Sequence, residues 1–261
     1  MAEVREFMPG LWLVESQLED FQVRGAVIAG GEKLLVWDTL ARPADMKGIA
    51  ELAPALPLVV VYSHADWDHV LGTSGLTRMP VEIIGHRLAL ERFSQELPGE
   101  LEERRAEDPQ GFEEAVLVSP TRTVADRLPD REGSTIDIGG LEIELHPLPG
   151  HTSDSIVCFI PEWGVLLGGD SVETPLPFLN AGSPLRTWSE ALTGWAERLE
   201  ASPNPAIVIP SHGRVGGPEL LRENALYLDS LLAHKEPNLA EHLTPFYRET
   251  HGNNMALARG Q

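Results

Sequence analysis

The chain has 261 residues, 42% hydrophobic and 23% charged, with 20 Lys and Arg against 40 Asp and Glu for a formal charge of −20. This composition excludes whole-chain disorder and fibre, supplies apolar mass for a core in one or two domains, and argues against a polyanionic partner such as nucleic acid. The longest uninterrupted apolar runs, such as Leu58 to Tyr62, fall far short of the roughly 18 to 20 residues of a bilayer span.

The N-terminal MAEVREFMPG has no positively charged start followed by an apolar stretch, so no signal peptide is expected and a cytoplasmic location is the default. Short strands are predicted at 11–14, 23–29 and 33–38, and a helix starts at Pro43, a favoured first-turn residue, and runs to about Ala53. LPLVVVY, ending at Tyr62, is apolar on both faces, as a strand must be when helices cover one side of its sheet and another layer covers the other. A short helix follows from about His69 to Leu76, then a strand at 81–84. From His86 the chain becomes charged and helical, an insertion over about 86–118 whose Glu and Arg read most simply as a solvated face, with a lid or a dimer contact as other uses.

Strands return in STIDI (134–138), LEIELHPL (141–148), SIVCFI (155–160) and GVLLGG (164–169). A helix from Thr187 to about Ala201, a strand at 206–210 and a helix from Pro218 to about His234 complete the pattern. The C-terminal region from about 218 is thus helical, with its end beyond Pro237 assigned only as partial helix. Cys158, the single cysteine, has no partner for an intrachain disulfide and reads as a small buried hydrophobe.

The halves echo one another. KLLVWD ends on Asp38 and GVLLGGD on Asp170, while LVVVYSH ends on His64 and AIVIPSH on His212. Two similar β-then-α halves packed sheet to sheet would bring these strand ends to one edge; chance likeness of short apolar strings is the rival explanation.

The sharpest chemical feature is SHADWDH, directly after the buried strand, with four potential metal ligands in six residues: His64, Asp66, Asp68 and His69. In an extended or turning loop, 64, 66 and 68 point to one side while 69 opens the next helix, an arrangement suited to a pair of cations. Asp and His are also ordinary capping and turn residues. Three further candidates end strands: His151 in PGHTSDS, Asp170 in GGDS and His212 in SHGR.

In this order the seven residues resemble the metal motif of the metallo-β-lactamase superfamily: H-x-H-x-D-H, a His in a Gly-His-Thr-like loop, a bridging Asp and a late His. The resemblance spans about residues 20 to 235. It implies an α/β fold, a four-layer αβ/βα sandwich formed as one domain over 1–261, with two divalent metal ions (zinc, manganese or iron) at one edge of the sheets. One metal would take His64, Asp66 and His151, the other Asp68, His69 and His212, with Asp170 between them. Asp38 matches the family's early acid, which supports the metal loop, and Thr152, Ser153 and Asp154 are further candidates for orienting the ligands.

One position departs from the motif: Asp66 stands where the family has its second histidine. Two placements are open for it, as a ligand or as an acceptor beside one. As a ligand it makes three carboxylates, and with two dications and a bridging hydroxide the site is neutral where the histidine version keeps one positive charge. Oxygen ligands also favour harder ions, so manganese and iron compete with zinc.

The resemblance implies a dinuclear hydrolase of a small ester, thioester, lactone or phosphoester, using a metal-bridging hydroxide, with Asp68 and Asp66 as the catalytic carboxylates. Trp67, Phe178, Asn180 and Arg186 are the expected substrate contacts. The partners expected are a small molecule, no nucleic acid and no membrane, with a homodimer as the superfamily's precedent. The alternative is a diiron protein reducing oxygen or nitric oxide, since members with that chemistry carry a carboxylate in the second motif position; it would need a separate electron donor.

Overall fold

The computed structural model describes residues 1–124, 135–239 and 243–259. Ser134 of the expected STIDI strand, and 240–242 and 260–261 of the C-terminal region, lie outside the described residues.

Two sheets face each other. The first runs in chain order through β1 (Glu3–Met8), β2 (Leu11–Gln17), β3 (Gln22–Ala29), β4 (Leu34–Trp37), β5 (Leu58–Val61), β6 (Glu82–His86) and β7 (Arg122–Val124). It is antiparallel from β1 to β4 and parallel from β4 to β7. The second has the order β12 (Ile207–His212), β11 (Val165–Glu173), β10 (Ile156–Ile160), β9 (Glu142–Pro147), β8 (Thr135–Asp137), with only β11 and β12 parallel.

Strand alternation builds the layers. In β5, Val59 and Val61 join the core between the sheets while Leu58 and Val60 face the helices; in β4, Leu35 and Trp37 go inward and Leu34 and Val36 outward. The second sheet mirrors this, with Val165, Leu167 and Ile209 between the sheets and Leu166 and Val208 on its helical side. Each buried Val or Leu is worth about 1.5–3 kcal/mol, and a one-residue slip would turn every inward side chain outward, so the pattern fixes the register. The outer layers are α1 (Pro43–Met46), α2 (Trp67–Val70), α3 (Ala89–Gln95) and α4 (Leu97–Glu107) on the first sheet, and α5 (Leu185–Glu200), α6 (Glu219–Leu232) and α7 (Pro245–Arg259) on the second. The result is a four-layer αβ/βα sandwich.

The echo between halves has a structural counterpart: in each sheet an antiparallel hairpin, β3–β4 or β10–β11, is followed across helical or 3-10 turns by a parallel strand, β5 or β12. Asp38 directly follows β4 and Asp170 lies within β11, while one Ser-His pair follows β5 and the other ends β12.

Some elements differ from expectation. The helix expected over 43–53 is cut into one α turn and a 3-10 turn (Ile49–Leu52) because Gly48 adopts φ +89°. The helix expected from His69 begins at Trp67, with Asp66 extended before it, so Asp68 and His69 both lie in the first turn. β1 and β7, the outermost strands of the first sheet, carry no strand signal in sequence: one is a charged, exposed segment and the other three residues long. The tail, expected only as partial helix, forms α7, which packs Tyr247 and Ala258 into the core of the second half.

Candidate metal centre

The ends of the parallel strands meet at one edge. Residues 63–66 leave β5 and enter α2; Asp170 sits late in β11 and His212 ends β12. His151 follows Gly150, which lies against the Trp188 indole so closely that a Cβ there would strike the ring and displace the loop. Gly169, at φ +53°, turns the backbone immediately before Asp170, where an added Cβ would meet the Ser63 Cβ at 2.9 Å.

Four histidines converge there with the same orientation. His151 Nδ1 donates to the Phe178 carbonyl at 2.8 Å and His212 Nδ1 to the Gln22 carbonyl at 2.7 Å. His69 Nδ1 pairs with Asp38 Oδ2 at 2.9 Å. Ser63 Oγ donates to Asp38 Oδ2 at 2.7 Å and accepts from His64 Nδ1 at 2.9 Å. With every Nδ1 engaged, each ring turns Nε2 inward toward the carboxylates. Asp38, which also accepts the Ser63 amide at 2.7 Å, thus orients His69 directly and His64 through a hydroxyl.

Three carboxylates face those nitrogens. Asp170 reaches His212 Nε2 at 3.2 Å and His69 Nε2 at 3.3 Å, with His64 and His151 at 3.7 and 3.8 Å. Asp66 Oδ2 lies 3.0 Å from His151 Nε2 and 3.4 Å from His64 Nε2; Asp68 Oδ2 lies 3.6 Å from His212 Nε2 and 3.7 Å from His69 Nε2. Three overlapping trios, His64–Asp66–His151, Asp68–His69–His212 and His64–His69–Asp170, each keep their donor atoms within 4.8 Å of one another. The buried atoms His64 Nε2, His69 Nε2 and Asp170 Oδ1 have no hydrogen-bond partner. Orphaned donor atoms of this kind, from imidazole and carboxylate, fit a divalent cation.

Burial alone would raise Asp66 and Asp170, yet the surrounding imidazoles hold both well below the usual carboxylate range. Burial likewise lowers the histidines, but the carboxylates prevail: His69 is raised well above its ordinary value, His151 to about 9 and His212 to about 10. Without a cation the cluster therefore balances its charge with protons, which a cation would displace.

Other expected residues fall in different places. Trp67 walls the site and is itself braced, with Arg104 over its ring at 4.8 Å and Phe112 edge-on at 6.1 Å. Phe178 and Asn180 line the same cavity of about 230 Å³, and Asn180 Nδ2 donates to the His151 carbonyl at 3.1 Å. Arg186 does not join them: it is exposed on the first turn of α5 and lines a separate pocket with Leu232 and His234. Thr152 hydrogen-bonds Ser155 within its loop and Ser153 is exposed; both edge a wider adjoining cavity of about 800 Å³. The bracing expected of those two comes from Asp154, fully buried, whose Oδ2 accepts the Ala65 amide at 2.8 Å.

Four contributors were not foreseen. Phe21 and Phe246 pack at 5.2 Å and form an apolar wall, with Phe21 edge-on to His212. Glu173 lines the cavity, held by the Tyr247 hydroxyl at 2.9 Å and the Phe178 amide at 3.2 Å, and burial, reinforced by Asp170, raises it to about 7. The fourth, Arg92 of α3, makes an ion pair with Asp66 Oδ1 at 2.6 Å, so the inserted helices are more than a solvated face. Counting ligands alone also left out this cation, which offsets the extra negative charge of Asp66.

Comparisons with known proteins agree with this fold. A family model described as the metallo-beta-lactamase superfamily matches residues 18–212. A metallo-beta-lactamase type 2 from Bacillus sp. (strain 170) is 30% identical over 92 residues, which are 34% of this chain and 35% of that protein; the chain thus matches about a third of its curated relative's length. Among solved structures, a metallo-beta-lactamase from Pontibacter korlensis superposes with a TM-score of 0.65 at 21% identity, over 88% of this chain and 99% of that one. FIM-1 from Pseudomonas aeruginosa, in its mono-zinc form, gives a TM-score of 0.63 at 20% identity, over 88% and 95%.

Proposed function

Because the chain belongs to the metallo-beta-lactamase superfamily, we propose that it is a metal-dependent hydrolase with a dinuclear site, acting on a small ester, thioester, lactone or phosphoester. The observation that carries this reading is the common orientation of four imidazoles: every Nδ1 is tied back, and every Nε2 turns toward the same three carboxylates.

His64, Asp66 and His151 would hold one cation and Asp68, His69 and His212 the other, with Asp170 shared. Bound cations supply Lewis acidity, polarising the substrate's carbonyl or phosphoryl oxygen and making a water acidic enough to attack near neutral pH. Asp68 accepts the proton of the attacking water and delivers it to the leaving group. Phe21, Phe178 and Phe246 exclude solvent around the reacting group, and their apolar surface favours a small acyl substituent over a charged one. Asn180, fixed by the His151 carbonyl, is placed to donate its remaining N–H to the substrate.

The test is elemental analysis of protein never exposed to added metal, followed by a panel of esters, thioesters, lactones, phosphoesters and β-lactams with and without chelator. About two divalent ions per chain and chelator-sensitive hydrolysis are expected. Protein that retains no divalent metal, or hydrolysis indifferent to chelator, overturns the reading; two irons with oxygen or nitric oxide consumption replaces it with the redox one.

A further inference from the structure

Asp66 is divided between two partners. Its Oδ2 faces His64 and His151, while its Oδ1 meets the Arg92 guanidinium at 2.6 Å. Arg92 has no free nitrogen: Nη1 lies 3.1 Å from Asp154 Oδ1 and Nε 2.8 Å from Glu96 Oε2. Its side chain is only 13% exposed. It edges the wider cavity, yet each of its three nitrogens already faces a carboxylate. Asp154 in turn accepts the Ala65 amide, so Arg92 and Asp154 grip the backbone and side chain of the same three-residue segment, His64 to Asp66.

A carboxylate has two equivalent oxygens and a free rotation, so by itself it does not present one lone pair in one direction as a tied-back imidazole does. The Arg92 guanidinium restricts that freedom: with Oδ1 ion-paired to Nη2, Asp66 turns its other oxygen toward the cluster. We propose that Arg92 is a positioning residue of the metal centre, reaching in from the inserted helix to hold Asp66 as a single-oxygen ligand where the motif elsewhere has histidine. The proposal rests on the reading of the cluster as a metal site. It assigns the insertion a task in this chain: α3 supplies the cation that makes an aspartate usable at that position.

The test is a double-mutant cycle read by zinc affinity, with Zn²⁺ competed against a chromogenic chelator, in wild type, Arg92→Met, Asp66→His and the double variant. With Asp66 in place, Arg92→Met is expected to weaken the tighter-coupled zinc by about 10- to 100-fold, as for other partners that orient ligands. In the Asp66→His background the same change should alter affinity by less than about threefold, because an imidazole needs no such grip. Equal losses in both backgrounds would make Arg92 a merely structural residue, and no loss with Asp66 in place would remove it from the site; either overturns the proposal. Wild type that binds no divalent ion removes the metal reading and the proposal with it, whereas normal zinc binding with an uncoupled cycle sinks the proposal alone. Arg92→Lys, which keeps the charge and stem but cannot serve three partners, repeats the cycle should the Met variant fail to fold; a several-fold loss confined to chains that keep Asp66 is expected. Melting of each metal-free variant checks the fold.

Discussion

The two outer trios of candidate ligands differ in what stands behind them. Asp68, His69 and His212 are backed by the sheets: Asp38 at the end of β4 fixes His69, the Gln22 carbonyl of β3 fixes His212, and Phe21 packs on that ring. His64, Asp66 and His151 are backed largely by segments added around the sheets: Arg92 from the inserted α3, Asp154 in the loop before β10, and the Phe178 carbonyl in the loop after β11. One half of the centre is oriented by strand ends that the two-layer core already fixes. The other half depends on side chains reaching across loops, and there an aspartate replaces the motif's histidine.

Removing ligands tests the division most severely. Asp170→Ala, which takes away the carboxylate between the trios, is expected to lower hydrolysis by about a thousandfold or more and to deplete metal from both. His151→Ala and Asp68→Ala should each abolish hydrolysis as well, yet each should leave about one ion per chain, held by the untouched trio. Rates and elemental analysis on the same preparations check this, and near wild-type activity in any of the three overturns the assignment. Asp38→Asn acts on the support instead. It leaves Ser63 and His69 without their buried anion, and a cost of roughly 3–5 kcal/mol in denaturant unfolding is expected.

The same division explains what was legible in the sequence. The seven ligand candidates each lie at or near the end of an apolar strand or in a loop bounded by Gly, so strand periodicity and residue type sufficed to point to them, and the echo of Asp38 and His64 with Asp170 and His212 pointed to one edge. Arg92 was invisible because nothing local distinguishes it from Arg104 or Arg105 on the neighbouring helix; only the packing of α3 against the residues after β5 selects it. Glu173 and Phe246 were hidden for the same reason, brought to one cavity from β11 and α7. Arg186 was misplaced because its nearness in sequence to Asn180 says little once α5 turns the chain away.

Metal removal should make both trios titrate. In the metal-free protein His151 and His212 are raised from 6.5 to about 9 and about 10, so their stabilising contribution is fully present below pH about 6.5 and is lost as pH rises through 9 and 10. Chelated protein is therefore expected to melt at progressively lower temperature across that window. Loaded protein, whose Nε2 atoms are occupied, should stay flat there. Parallel slopes for the two forms would mean that these nitrogens do not meet the cation.

The smallest expected effect lies outside both trios. Tyr247→Phe deletes the hydroxyl that donates to Glu173 Oε1 while keeping the ring that docks α7 on the second sheet. One hydrogen bond is lost, so unfolding should become easier by about 1 kcal/mol. Metal content should not change, because neither residue belongs to a trio, and turnover should fall less than about threefold if Glu173 only shapes the floor of the cavity. The hydroxyl also helps to keep Glu173 from rising further than about 7, so its removal favours the neutral acid still more strongly. A drop in kcat of more than about tenfold with metal retained would therefore show that a carboxylate beyond the seven candidate ligands handles a proton in the reaction.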